Sequence, residues 1–511
     1  MNQRLKRYHP LLIIWKIFGI IKDLFIIGLI LFVIQRNSES MWIQYGRIGF
    51  FLLVGGGILL EVLKWFKERY EWDEQAFHLY DGIVIRSKRT VPFRKIENIN
   101  EHATFFHKMF GVTSVKFETG MQGSEAAVEF PVISKQELKE LKKIVNSGKQ
   151  ESNEEEEKEE QVEIVEESTV HFKPKSKDLV KASFTSFSFF FIIPFGLTIY
   201  SQLEELLPVS DKVLGIWGQL SDSPVKLFIT VLVLVCVAIL YGLVRTFFKY
   251  GNYEILSDEE FIYIKKGILD ESRYSIAKSN IQAIEVKQPW IKKMFNYVEI
   301  HIISVGELEI EDQTTLTTIY PFLPRQKAYA LIEELLPKYQ VKEQLERLPR
   351  KALWMKLFRP SWFWVIATGL LYYFKPSIFK FEIHWAILST VLLGLVIAYR
   401  MLSFYYTRYL ISDHFVYFQS GVFTTNLFLS KREKVIEVNV ERGPLQKRLG
   451  LASIKTTNRG KPIHEVRIQD VPYEVATNFL QWYLNRVKDV KVLTEETDSS
   501  PFHNEVKGLT S

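Results

Sequence analysis

A single cysteine, Cys236, occurs in 511 residues, and it lies inside an apolar run. No intrachain disulfide can form, and no site built from several thiolates can be assembled. The signatures of the common catalytic machineries are missing too: there is no G-x-S-x-G elbow, no H-E-x-x-H pair, no Walker loop and no G-x-G-x-x-G between a strand and a helix. The ten histidines are scattered. His102 and His107 are five apart, off the i, i+4 face that helical metal ligands share, and no Cys, Asp or Glu set completes them. The sequence therefore predicts no enzyme, no metal and no cofactor, and nothing in it points to nucleic acid. A cleavable leader is not expected either. Arg4, Lys6 and Arg7 precede an apolar stretch from Leu11 to Ile34, longer than the ~7 to 15 residues of a signal-peptide core and without a small-residue cleavage site behind it. It reads as a retained anchor.

What the chain does contain, it contains three times. Counting from Gly82, Gly267 and Gly421, the position fourteen residues on is Ile96, Ile281 and Val435, and seventeen on it is Ile99, Ile284 and Val438. Twenty-six on comes a lysine each time, Lys108, Lys293 and Lys447, followed two later by Phe110, Phe295 and Leu449. A register kept over some thirty residues in triplicate identifies a repeat architecture.

Long apolar stretches separate the repeats. Six are near the ~20 residues that cross a bilayer as helix, at 11–34, 41–63, 184–200, 225–244, 361–374 and 384–402. Brief connections within each pair predict three transmembrane hairpins, at 11–63, 180–244 and 361–402. On the side bearing the soluble units the flanks carry nineteen Lys and Arg, against Arg36, Lys212, Lys375 and Lys380 on the other. That bias predicts both termini and all soluble units in the cytoplasm, in a multi-pass membrane protein.

Each soluble unit, at 64–148, 245–340 and 403–490, reads as strands followed by one helix. Stretches such as Phe77–Tyr80 and Phe261–Ile264 alternate with the period of half-buried strands. Asp81-Gly82, Lys266-Gly267 and Ser420-Gly421 mark turns whose glycines supply a positive φ. Ser134 and Glu137 form a capping box before an apolar face of Leu138, Leu141, Ile144 and Val145. The expected fold is an α+β membrane protein in which each hairpin precedes a small antiparallel sheet covered by one C-terminal amphipathic helix. Between the first two units, residues 151 to 167 hold ten glutamates and one lysine, so 149–172 is expected to be a disordered acidic linker, and 491–511 a disordered tail.

The hairpin-then-β-unit order, the turn glycine, the I-x-x-I pair, the steps Gln288-Pro289 and Gly443-Pro444, and the K-x-F-G or K-x-L-G ending resemble the bacterial pleckstrin-homology-like (bPH2) domains of the membrane-flanked, YdbT type. The first unit has Ala103-Thr104 where the others carry a residue followed by proline, and the second has Asn296 where a glycine is expected. The resemblance implies that each soluble unit is a PH-like β-sandwich or barrel closed by its C-terminal helix, that the membrane is the bacterial cell membrane, that the chain has a partner in a smaller single-domain relative, and that it acts in envelope stress or in protection against membrane-active peptides.

Two sets of residues are candidates for function. Lys108, Lys293 and Lys447, repeated cations on domains beside a membrane, could meet anionic headgroups or a partner, or simply be solvated turn residues. Lys16, Lys22, Asp23 and Glu61 lie within the first hairpin, where charges are costly and pair or face a cavity unless the helix shifts them to the interface. A scaffold of three adhesive domains is the reading these residues favour. The alternatives are a lipid-headgroup sensor and a lipid or peptide exporter component.

Overall fold

In a computed structural model of the chain, residues 5–36, 38, 40–83, 85–119, 127–150, 169–174, 178, 181, 224–305, 318–374, 384–412, 414–460 and 463–485 are described. The expected span at 184–200, the core of the acidic linker and the 491–511 tail lie outside them. The chain divides into two compact units, Met1–Ile281 with Gln288–Val341, and Gln282–Lys287 with Lys342–Ser511.

In the first unit, β1 (Lys6–Arg7) precedes helices α1 (Leu11–Leu29) and α2 (Met41–Lys67) and then pairs antiparallel with β2 (Arg69–Trp72), Lys6 opposite Tyr70. β3 (Ala76–Asp81) and β4 (Ser87–Pro92) complete a four-stranded sheet in the order β1-β2-β3-β4. A second sheet of β5 (Ile96–Ala103), β6 (Val112–Thr119) and β7 (Ala127–Ser134) follows, with α3 (Phe105–Met109) between β5 and β6. Helix α4 (Lys135–Gln150) closes the domain. Phe77, Phe93, Phe117 and Phe130 fill the core, with Leu138, Leu141 and Val145 of α4 laid against it. The serine half of the expected capping box forms, with the Glu137 amide donating to Ser134 Oγ at 3.2 Å, while the Glu137 carboxylate accepts from Tyr70 at 2.8 Å and from Lys6 at 3.3 Å.

The second domain repeats the pattern. β8 (Thr169–Phe172) lies at the end of what the sequence assigns to the acidic linker, and it is a strand. Here the Phe172 ring packs tilted against Tyr320, 4.7 Å between centroids, which gives this short segment an apolar anchor. Next come α5 (Pro224–Tyr250), β9 (Glu254–Ser257), β10 (Phe261–Lys266), β11 (Glu271–Ala277), β12 (Ile281–Pro289), α6 (Trp290–Met294), β13 (Tyr297–Ser304), β14 (Thr318–Pro324) and α7 (Arg325–Leu335). The first domain's second sheet does not end at β5. Strand β5 pairs antiparallel with β11, Ser272 opposite His102, so that one seven-stranded sheet runs β7-β6-β5-β11-β10-β9-β8 through both domains.

In the second unit β15 (Glu346–Arg347) and α8 (Arg350–Phe358) lead into α9 (Trp362–Phe374) and α10 (Trp385–Tyr406). Then follow β16 (Arg408–Ile411), β17 (Phe415–Ser420), β18 (Thr424–Lys431), β19 (Val435–Glu441), α11 (Pro444–Leu449), β20 (Leu451–Asn458), β21 (His464–Pro472) and α12 (Tyr473–Leu484). Residues 282–287 of β12 lie beside β18, and the order continues β18-β17-β16-β15, while β19-β20-β21 form a separate sheet.

The apolar helical segments therefore enter each domain after its first strand rather than preceding the whole domain, because β1, β8 and β15 pair with β2, β9 and β16. The three turn glycines have φ of +106, +95 and +105°, and a Cβ on any of them would lie 1.8–2.0 Å from the carbonyl oxygen three residues on. Asn296, at φ +56°, takes the place filled by Gly111 and Gly450, a conformation asparagine tolerates.

Among the described residues two helices, α2 and α10, are long and apolar enough to cross a membrane. Helix α9, at thirteen residues, is short for a bilayer, and α1 carries Lys16, Lys22 and Asp23.

Candidate functional site

The repeated polar groups sit at the foot of each domain, on the short helices α3, α6 and α11. Thr104 caps α3 by accepting from the His107 amide, and Gly443-Pro444 starts α11, where Gln446 Oε1 accepts from the Gly443 amide at 3.0 Å. Lys108 does not face solvent alone: its Nζ lies 3.2 Å from Glu271 Oε2 and donates to the Ile268 carbonyl at 2.7 Å, both in the next domain. Lys293 is half-buried in the last turn of α6, and Lys447 is exposed on α11.

The position one residue earlier carries the buried group. His107, Lys292 and Gln446, twenty-five residues after their turn glycines, are 3%, 6% and 5% exposed. Each ties its helix to the strand below. His107 Nε2 lies 3.0 Å from the Pro131 carbonyl, Lys292 donates to the Pro321 carbonyl at 2.7 Å and to Glu299 at 2.5 Å, and Gln446 donates to Asp470 at 2.7 Å. Burial holds the His107 imidazole below its ordinary value, against the pull of the Pro131 carbonyl. The repeated lysine one residue later draws attention away from this site, since histidine, lysine and glutamine share no chemistry beyond donating a hydrogen bond.

Apolar side chains around these helices are turned outward. Phe105, Phe106, Met109 and Phe110 on the first domain, and Trp290, Met294 and Phe295 on the second, are all exposed. Between α1 and α3 a cavity of about 100 Å³ is lined by apolar residues, Trp15, Phe18 and Phe110 among them, with His107 at its edge.

The intramembrane set divides. Lys16 Nζ lies 3.0 Å from Glu61 Oε2, and Glu61 also accepts from Lys64 at 2.9 Å, so a three-charge cluster links α1 to α2 near the soluble domain. Lys22 and Asp23 are exposed on α1 and do not join it. The hairpin holds one further polar device, which sequence reasoning misses. Arg47 of α2 donates to the carbonyls of Leu31, Gln35 and Arg36 at 3.1, 2.7 and 3.0 Å, neutralising the carbonyl end of the preceding helix.

The domains are joined by more than ladder bonds. At the β5–β11 junction the Ile99 amide donates to Ser275 Oγ at 3.4 Å, His102 Nδ1 lies 3.0 Å from Ser272 Oγ, and Asn280 donates to Glu97 at 2.7 Å. In the second unit Glu285 of β12, with a side chain 9% exposed, lies 2.9 Å from His464 and 3.1 Å from Lys287, while Ser430 donates to the Gln282 carbonyl at 3.0 Å. Burial works to raise the Glu285 carboxyl, but His464 and Lys287 outweigh it and hold the pKa at about 2.

Comparison with known proteins agrees with the triplicate. The profile described as "Bacterial PH domain" matches three times, at residues 21–149, 212–338 and 365–487. A transmembrane protein of Bacillus subtilis (strain 168), YdbT, is 26% identical over 494 residues, covering 94% of this chain and 98% of its own. No solved structure matches.

Proposed function

The chain belongs to the bacterial PH domain family, and from that premise we propose that it is a non-enzymatic scaffold of the bacterial cell membrane. Three hairpins anchor it, the three domains lie in the cytoplasm, and it assembles with a smaller single-domain PH-like membrane protein in envelope stress or in resistance to membrane-active peptides. The observation that supports this reading is the use made of repeated polar groups. Lys108, His107, Lys292, Gln446 and Glu285 are engaged in holding helix to strand or domain to domain, rather than converging on a cleft where a substrate could react. Copies of one fold on a single chain present several weak contacts at once, and avidity then replaces a deep single site.

The test is genetic. In cells lacking the chain, the full-length protein should restore tolerance to membrane-active peptides, and so should variants with Lys22 and Asp23 replaced by leucine and asparagine. Loss of restoration with those variants, at normal protein level, would move the function to a transport path. A second reading, a lipid-headgroup sensor, is favoured by the outward aromatic residues around α3 and α6 and by exposed Lys447. It predicts that changing Lys293 and Lys447 together to glutamate, with Lys108 left on Glu271, abolishes response to anionic lipid while assembly is retained.

A further inference from the structure

We propose that the chain associates head to tail with a second copy of itself by pairing β19 of one molecule with β4 of the next. The inference starts from the two junctions inside the chain. In each, the last strand of one domain's first sheet, β11 or β18, pairs with the first strand of the preceding domain's second sheet, β5 or β12. The equivalent edges at the two ends of the series, β4 and β19, have no neighbouring strand among the described residues. One chain thus carries both halves of a junction it has already made twice.

Exposure at matching positions records the difference. On β12 Gln282 is 6% exposed, and on β5 Asn100 is 2% exposed. Their counterparts on β19 are open: Ile436 is 42% exposed, and Asn439 is exposed. On the other side Ser272 and Ser275 of β11 are buried, whereas Ser87 and Thr90 of β4 are exposed. A β-branched apolar residue such as Ile436, outward on an edge strand, is the kind of group that strand pairing covers.

Charge selects the pairing. Transferring the β5–β11 register, in which Ser272 faces His102, sets Ser87 opposite Glu441 and Arg89 opposite Asn439, between Glu437 and Glu441. Lys88 and Arg89 lie on β4, and Glu437 and Glu441 on β19, where Glu441 is also bridged to Arg467 of β21 at 2.5 Å and Glu437 is exposed. Like edges repel and unlike edges attract, so the contact is heterologous rather than two-fold. Arg89 already donates to the Ala127 carbonyl of its own domain, which fixes the guanidinium near this edge.

The inference deepens the scaffold reading and rests on it. Its test uses the full chain in native membranes with Cys236 replaced by alanine. Two differently tagged versions, Ser87→Cys and Glu441→Cys, are co-expressed and mildly oxidised. A disulfide-linked heterodimer is expected, at least tenfold more abundant than that from Ser87→Cys with Glu474→Cys, an exposed position on α12 outside the predicted contact. Equal yields from both combinations, or no cross-link when both variants reach wild-type level, would overturn the proposal. So would capture of the Ser87→Cys edge by a different membrane protein. Cross-linking failure alongside restored peptide tolerance would remove self-association only, whereas failure of tolerance would strike the scaffold reading itself.

Discussion

Replacing Glu285 by glutamine isolates the charge at the second junction while keeping the shape of the side chain. The folded carboxyl titrates at about 2, against 4.5 ordinarily. A shift of that size corresponds to about 3 kcal/mol at 1.36 kcal/mol per unit. The sign follows from which state binds the proton first. As pH falls below 4.5 the unfolded carboxyl protonates while the folded one stays ionised, so the stabilisation is complete above pH 4.5 and is lost on the way down to pH 2. Hydrogen exchange of peptides covering residues 282–287 and β18 reads the local opening. At pH 7 Glu285→Gln should exchange on the order of 100-fold faster than wild type, and at pH 2.5, after correction for intrinsic rates, the difference should shrink to less than about 1 kcal/mol. A difference that is the same at both pH values, or absent at pH 7, would refute the claim that His464 and Lys287 secure this strand through the carboxylate.

Other expectations follow from single positions. Gly421→Ala should lower stability by about 2 kcal/mol or more in thermal unfolding, since its Cβ would meet the Thr424 carbonyl at φ +105°, whereas Gly450→Ala, with open space around it, should cost about 1 kcal/mol. Burial pushes the Lys356 ammonium down to about 8, with Ser403 and Thr407 hydroxyls each 3.0 Å away. The unfolded lysine holds its proton to higher pH, so stability should rise between about pH 8 and pH 10, and Lys356→Met should abolish that rise in a pH series of melts. Glu61→Gln should weaken the α1–α2 hairpin, lowering its resistance to detergent-phase proteolysis, while Lys22→Leu should leave it unchanged.

Much of the fold was legible because repetition exposes constraint. Glycine at a left-handed turn is required by sterics alone, so Gly82, Gly267 and Gly421 could be placed before any contact was known, and the faces of α4 and α7 followed from helical periodicity. The insertion of the apolar segments after a first strand was not legible. A two-residue strand such as Lys6–Arg7 has no periodicity of its own, and its pairing with β2 spans the entire hairpin. Sheet continuity between domains was hidden for a similar reason: the polar run Asn98, Asn100, Glu101 and His102 reads as an exposed strand, yet Asn98 and Asn100 are buried and Glu101 and His102 pair with β11. The buried polar groups beside the repeated lysines were not legible, because His107, Lys292 and Gln446 are dissimilar and a recurring lysine is the more conspicuous signal.

The scaffold account is tested most directly by purifying the full-length chain from native membranes in mild detergent and identifying co-purifying proteins and lipids by mass spectrometry. It predicts a small PH-like membrane protein at a fixed ratio to the chain. Recovery of the chain with no protein at fixed ratio, and with one enriched anionic lipid, would contradict it.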